Sequence, residues 1–105
     1  MNGPDKRQMR RKTASLVFEL TDAEGLLLIG FGRLVDVSAG GALLETRQAL
    51  EKGQSIRLRV RLEDRSRLDL LAEVVRSQPK PMRSVFLHGI SFTNSVAAEI
   101  ERLNV

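Results

Sequence analysis

The sequence predicts an all-β fold, a six-stranded antiparallel β-barrel with one C-terminal α-helix. Three patterns predict it. Ser55 to Leu62 alternates without a fault, with Ile56, Leu58, Val60 and Leu62 on one face and Ser55, Arg57, Arg59 and Arg61 on the other. That period of 2 belongs to a strand with one buried and one wet face. Five further short segments carry strand-type residues and are separated by Gly, Pro and charged turns, the spacing of a small barrel. Val96, Ile100 and Leu103 then recur at helical spacing and give the C-terminus a single apolar stripe that would cover one open end. At 105 residues the chain is one domain.

The elements follow in order. Residues 1–12 lack apolar periodicity, and Gly3-Pro4 argues against regular structure at their start, so they read as a flexible basic arm. The barrel and helix occupy residues 13–105. The first strand is Thr13 to Thr21, with Leu16, Phe18 and Leu20 on one face and Val17 and Glu19 on the other. Asp22 to Gly25 is a turn. The second strand is Leu26 to Asp36, in which Gly30 and Gly32 suggest a bulge or a barrel corner. Ala42 to Thr46 is the third strand, Gln48 to Gln54 a loop, and Ser55 to Leu62 the fourth strand. After the charged turn at residues 63–66, Leu68 to Arg76 forms the fifth strand, with Leu68, Leu70, Ala72 and Val74 on its apolar face. Pro79-Lys80-Pro81 calls for a loop. Ser84 to Phe92 is the sixth strand, and Asn94 or Ser95 caps the helix.

Charge is unevenly placed. Lys6, Arg7, Arg10, Arg11 and Lys12 stand against Asp5 alone, so the entire formal net charge of +4 sits on the arm. An anionic partner is implied for the arm and not for the body. Cysteine is absent, which excludes disulfides and thiolate zinc sites. The N-terminus has no apolar signal-peptide region, and no run approaches the roughly 20 apolar residues of a membrane span. A cytoplasmic protein without a membrane span is expected. His88, the single histidine, reads as a structural residue on a strand face. There is no P-loop, no dinucleotide fingerprint and no evident triad, so an enzyme is not expected. The arginine row at 57, 59 and 61 reads as a solvated strand face with cross-strand Glu partners. A nucleic-acid platform is not expected either, since it relies on several exposed aromatics and the chain has four Phe, no Tyr and no Trp.

The stretch Gly32 to Leu44 carries the chemistry. Alternation puts Val35 and Val37 on one face and Asp36 and Ser38 on the other. Gly40-Gly41 lets the chain turn sharply and lets another group approach the backbone. Two readings suit these residues: a hairpin corner in which Asp36 and Ser38 bond their own loop amides, or a binding corner.

The arm contains Arg7-Gln8-Met9-Arg10-Arg11, an arginine, three residues and an arginine. About 25 residues later comes Asp36-Val37-Ser38-Ala39-Gly40-Gly41. In that order and separation the two segments resemble the signature motifs of the PilZ domain family. The resemblance extends through Ala72 to Arg76 and His88-Gly89-Ile90-Ser91-Phe92, and so covers nearly the whole chain. It implies a PilZ-like split barrel and a receptor for the bacterial second messenger cyclic di-GMP. It assigns ligand contacts to Arg7, Arg11, Asp36, Ser38 and Gly41, with Lys6, Arg10, Gly40 and Arg76 beside them and Arg33 as a further candidate. It also implies that the residue before the arginine motif, here Lys6, influences whether one ligand or an intercalated pair binds. The ligand is cyclic di-GMP; no cofactor or metal is expected. Output would pass to a downstream protein. The competing readings are a PilZ-type protein-interaction adaptor that uses no nucleotide, and a small RNA-binding barrel.

Overall fold

The computed structural model describes residues 12–13, 16–62, 65–79 and 84–94. Within them lie seven strand segments: β1 (Lys12–Thr13), β2 (Val17–Asp22), β3 (Leu28–Val37), β4 (Gly41–Thr46), β5 (Ser55–Arg61), β6 (Arg67–Pro79) and β7 (Phe86–Phe92). The sheet runs β1-β3-β2-β5-β6-β7-β4, and β3 also pairs with β4, which closes it on itself. Every pairing is antiparallel. β1 and β2 lie along the same side of β3: Lys12 pairs with Val37 and Val17 with Arg33, and between them the Leu34 amide donates to the Leu16 carbonyl. They are one broken strand, so the barrel has the six predicted walls. The expected C-terminal helix falls at residues 95–105, outside the described residues.

Closure leaves no open edge around the barrel and creates one interior. Phe18 and Leu20, Leu34 and Val37, Leu44, Ile56, Leu58 and Val60, Leu70 and Val74 fill it and are almost wholly buried. The alternation of residues 55–62 holds through Arg61, because β5 lies between β2 and β6 with only one face turned inward. Of the expected Glu partners of the arginine row, Glu19 stands opposite Arg59, while the ion pair of the row is made with an Asp. Arg57 Nη1 lies 3.0 Å from Asp69 Oδ2, and Arg59 pairs in register with both Glu19 and Asp69.

Three bulges break strict alternation. Ile29 is the extra residue where the β2 register shifts from Leu20–Gly30 to Thr21–Leu28, beside the predicted Gly30 irregularity. Val35 is extra between the Leu34–Leu44 and Asp36–Leu43 pairs, and Val75 between Val74–Ile90 and Arg76–Gly89. The Val35 bulge corrects one expectation: the inward pair is Leu34 and Val37, both fully buried, and not Val35 and Val37. The strand after residue 66 also runs further than expected, since Ser77, Gln78 and Pro79 continue to pair with β7. Pro79 is tolerated as the last residue of the strand, where a missing amide donor matters least.

Candidate ligand-binding corner

The bulges at Val35 and Val75 determine which side chains share the outer surface. Registers across four strands give three consecutive rows. Leu34, Leu44, His88 and Ser77 form the first. Asp36, Leu43, Gly89 and Arg76 form the second, and Val37, Ala42, Ile90 and Val74 the third. The third row is buried, and so are Leu34, Leu44 and His88 of the first. The middle row therefore faces out. Plain alternation from Val74 would aim Arg76 into the core; the bulge at Val75 turns it to the outside, a common use of bulges near binding sites. Arg76 and Asp36 thus mark the two ends of one outward row, three inter-strand steps apart, at most about 14 Å along the curved sheet.

The floor between them is low. Leu43 is half-buried, and Gly89 has no side chain. The Arg76 chain lies across Gly89, where an added Cβ would stand 3.0 Å from Nε and 3.1 Å from Cγ. A planar guanidinium is held there against a smooth strand surface, free to fork toward a base or an anion.

At the other end the chain turns from β3 into β4. The Ser38 amide donates to the Gly41 carbonyl at 2.8 Å, and its hydroxyl reaches the same oxygen at 3.3 Å. The Phe92 amide donates to the Gly40 carbonyl at 3.0 Å, which ties the corner to the end of β7. Gly41 packs so closely on β7 that an added Cβ would stand 2.2 Å from the Ile90 carbonyl oxygen. Packing alone therefore accounts for a glycine at 41, besides any role toward a ligand. Ala39 and Gly40 are exposed, and Asp36 and Ser38 half-exposed.

β1 joins this corner directly. Lys12 pairs with Val37 and Thr13 with Asp36, so the chain enters the barrel beside the corner. Arg11 is covalently next to Lys12, its Cα about 3.8 Å away. The assigned arm residues Lys6, Arg7, Arg10 and Arg11 themselves lie outside the described residues. The structure thus gathers Asp36, Ser38, Gly40 and Gly41 at one corner and adds Arg76 along the row. Arg33 does not join them: its Nε bonds Glu45 Oε1 at 3.0 Å, further along β3. Sequence reasoning missed Leu43 and Gly89 as floor residues, because only the strand register reveals that they share a row with Asp36.

His88 is a structural anchor beneath this floor. It is fully buried, and Nε2 donates to the Gln48 carbonyl at 2.9 Å. With the ring neutral, Nδ1 accepts from the Ser77 hydroxyl at 2.7 Å. Burial holds its pKa below the usual histidine value, with the Gln48 bond opposing. Phe86 stacks on the ring, centroids 5.8 Å apart. Among the described residues no group of three His, Cys, Asp or Glu is placed to hold a metal. Among the described residues no helix is long and apolar enough to cross a membrane.

The described residues form a closed antiparallel barrel whose outward row ends at a Gly-rich corner, beside the strand that follows the basic segment of the sequence. The chain belongs to the PilZ domain family, whose model matches residues 5–104. No curated protein matches it. Solved structures do. The PilZ domain of CeSA from a cellulose-synthesizing bacterium is 21% identical, with a TM-score of 0.67 over 91% of this chain and 99% of that one. The Bacillus subtilis inhibitor of motility, MotI/DgrA, is 22% identical, with a TM-score of 0.71 over 93% of this chain. The alignment spans 47% of MotI/DgrA, about half its length. The PilZ domain of YcgR from Escherichia coli, solved with cyclic di-GMP, is 18% identical, with a TM-score of 0.62, covering 92% of this chain and 84% of that one.

Proposed function

We propose that this chain is a cyclic di-GMP receptor domain, which clasps its ligand between the basic arm and the Asp36–Gly41 corner. The observation that carries the reading is the row Asp36–Leu43–Gly89–Arg76, which ends where β1 enters the barrel. Family membership supports it, and the YcgR domain was solved with the same ligand.

Cyclic di-GMP presents two guanine edges and two anionic phosphates. Asp36 accepts from the guanine N1 and N2 donors, and Ser38 bonds a base or phosphate. Arg7 and Arg11, flanked by Lys6 and Arg10, supply fork-shaped permanent cations that take guanine O6 and N7 or a phosphate in pairs. Arg76 offers a further guanidinium across the floor. The exposed backbone at Gly40 leaves room for close approach. Five cations in twelve residues repel one another, so the ligand's negative charges favour the docked arm. Binding orders residues 6–11 against the corner and presents a changed surface to a downstream protein. The pairing of Lys12 with Val37 shortens the search, because the base of the arm already lies at the corner.

The test is equilibrium binding of fluorescent cyclic di-GMP, with a single-stranded RNA control. The parent binds the dinucleotide and not the RNA, and Arg7→Ala and Arg11→Ala each weaken binding at least tenfold. Parent-like affinity in both variants refutes the arm assignment. No dinucleotide binding by the folded parent favours the adaptor reading.

A further inference from the structure

A second surface lies along β3 from the corner, five residues and about 17 Å away. Alternation turns Val17 and Glu19 of β2, Phe31 and Arg33 of β3, and Arg57, Arg59 and Arg61 of β5 outward. Val17 is 63% and Phe31 62% exposed, both in mid-barrel strands and not in loops. They border a cavity of about 220 Å³, whose other walls include Arg59, Arg61 and Arg67. A wider hollow across β3 and β4 shares Val17 and Phe31 with it.

Charge surrounds this apolar centre on one side of the balance. Two of its five arginines are paired, Arg33 with Glu45 and Arg57 with Asp69. Arg59, Arg61 and Arg67 make no ion pair or side-chain hydrogen bond among the described residues. Glu19, between Phe31 and Arg59 in register, is the one carboxylate among the described residues that line the cavity with them.

We infer that this face, centred on Phe31 and Val17 and ringed by Arg59, Arg61 and Arg67, docks an acidic amphipathic helix of a partner protein. The inference deepens the downstream-partner part of the proposed function and rests on that reading for its choice of a protein as occupant. Charge complementarity selects the helix. A second copy of this face would bring arginines against arginines. A single-stranded nucleic acid stacks on successive aromatic rings, and here Phe31 has an aliphatic neighbour. A helix meets both requirements: Leu or Phe side chains enter the cavity while flanking carboxylates reach the arginines. Carboxylates at i and i+4 stand about 6 Å apart. Arg59 and Arg61, two residues apart on one strand, stand about 6.7 Å apart. Charged hydrogen bonds to a guanidinium fork then fix the register.

The test uses a labelled 18-residue helical peptide with a Leu stripe flanked by Glu at i and i+4. Its controls have Lys for every Glu, or Ser for every Leu, and an 18-nucleotide oligouridine is run beside them. Fluorescence anisotropy of the full chain should show the Glu/Leu peptide binding at least tenfold tighter than both peptide controls and the RNA. Phe31→Ser and, separately, Arg61→Glu should each weaken it at least tenfold. Both side chains face outward, so thermal melts should match the parent, and Phe31→Ser should still bind cyclic di-GMP as the parent does. If the parent binds dinucleotide but treats the three peptides alike, or if both variants bind peptide like the parent, the docking surface is refuted while the receptor reading stands. Tighter binding of oligouridine than of the Glu/Leu peptide also refutes it. Peptide binding without dinucleotide binding upholds the surface and refutes the receptor reading.

Discussion

Replacing His88 with Phe removes the hydrogen bonds of a buried ring while keeping an aromatic ring to stack on Phe86, in a side chain somewhat larger than the parent's. In the parent, Nε2–H donates to the Gln48 carbonyl at 2.9 Å and Nδ1 meets the Ser77 hydroxyl at 2.7 Å. Ser77 has an alternative acceptor, the Leu50 carbonyl at 2.9 Å, so its hydroxyl stays satisfied in the variant. The Gln48 carbonyl does not, and an unsatisfied buried acceptor costs about 1–3 kcal/mol. His88→Phe should therefore unfold about 1–3 kcal/mol more easily at pH 7.5 in urea. The pH dependence is a second, independent readout. An unfolded histidine titrates near 6.5, and burial lowers the folded value. Stability is fully present above about pH 6.5 and falls as pH drops through the folded pKa, with a slope of at most about 1.4 kcal/mol per pH unit. Between pH 7.5 and 5.5 the parent should lose up to about 1.4 kcal/mol. His88 is the one histidine, so His88→Phe should be nearly flat over that window. Equal parent stability at the two pH values, or a drop retained by the variant, would refute the assignment of a neutral buried ring.

Three further outcomes follow from packing and site geometry. Gly41→Ala pushes a methyl group into the Ile90 carbonyl, a backbone atom that cannot rotate away, and should destabilise the barrel by about 1–3 kcal/mol in chemical denaturation. Leu58→Ala removes a fully buried side chain from β5 and should lower unfolding free energy by about 2–5 kcal/mol by the same measurement. Arg76→Ala, at an exposed position, should leave the melting temperature within a degree or two of the parent's by calorimetry. It should weaken cyclic di-GMP binding several-fold, and raising salt should weaken the parent's binding because charge pairing carries part of the affinity.

The barrel walls are legible because a closed antiparallel sheet imposes one inward face, and residues 55–61 obey that rule without exception. What alternation cannot show is where it breaks. Val35 and Val75 are ordinary strand residues, yet each is an extra residue in its ladder, and together they set the outer row. The turn between β3 and β4 is legible in its residue types, since Ser38 and the two glycines favour a sharp corner. Nothing in the sequence fixes the direction of Arg76, which the bulge at Val75 supplies. Leu43 and Gly89 were invisible, because register is a property of strand pairs and not of a segment. Gly41 was read for a ligand, but close packing on Ile90 gives it a second reason.

Hydrogen exchange with and without cyclic di-GMP tests the central claim most directly, because it reports on arm and corner at once. The comparison should include a chain lacking residues 1–11, which keeps the Lys12–Val37 pairing intact. In the full chain, ligand should slow exchange across residues 6–11 and residues 36–43 together, and leave β5 unchanged. The shortened chain should show the parent's protection in β5 and no ligand effect at the corner. Slow exchange across residues 6–11 that is the same with and without ligand would contradict ordering by the ligand. Ligand protection at the corner that survives loss of residues 1–11 would contradict the clasp.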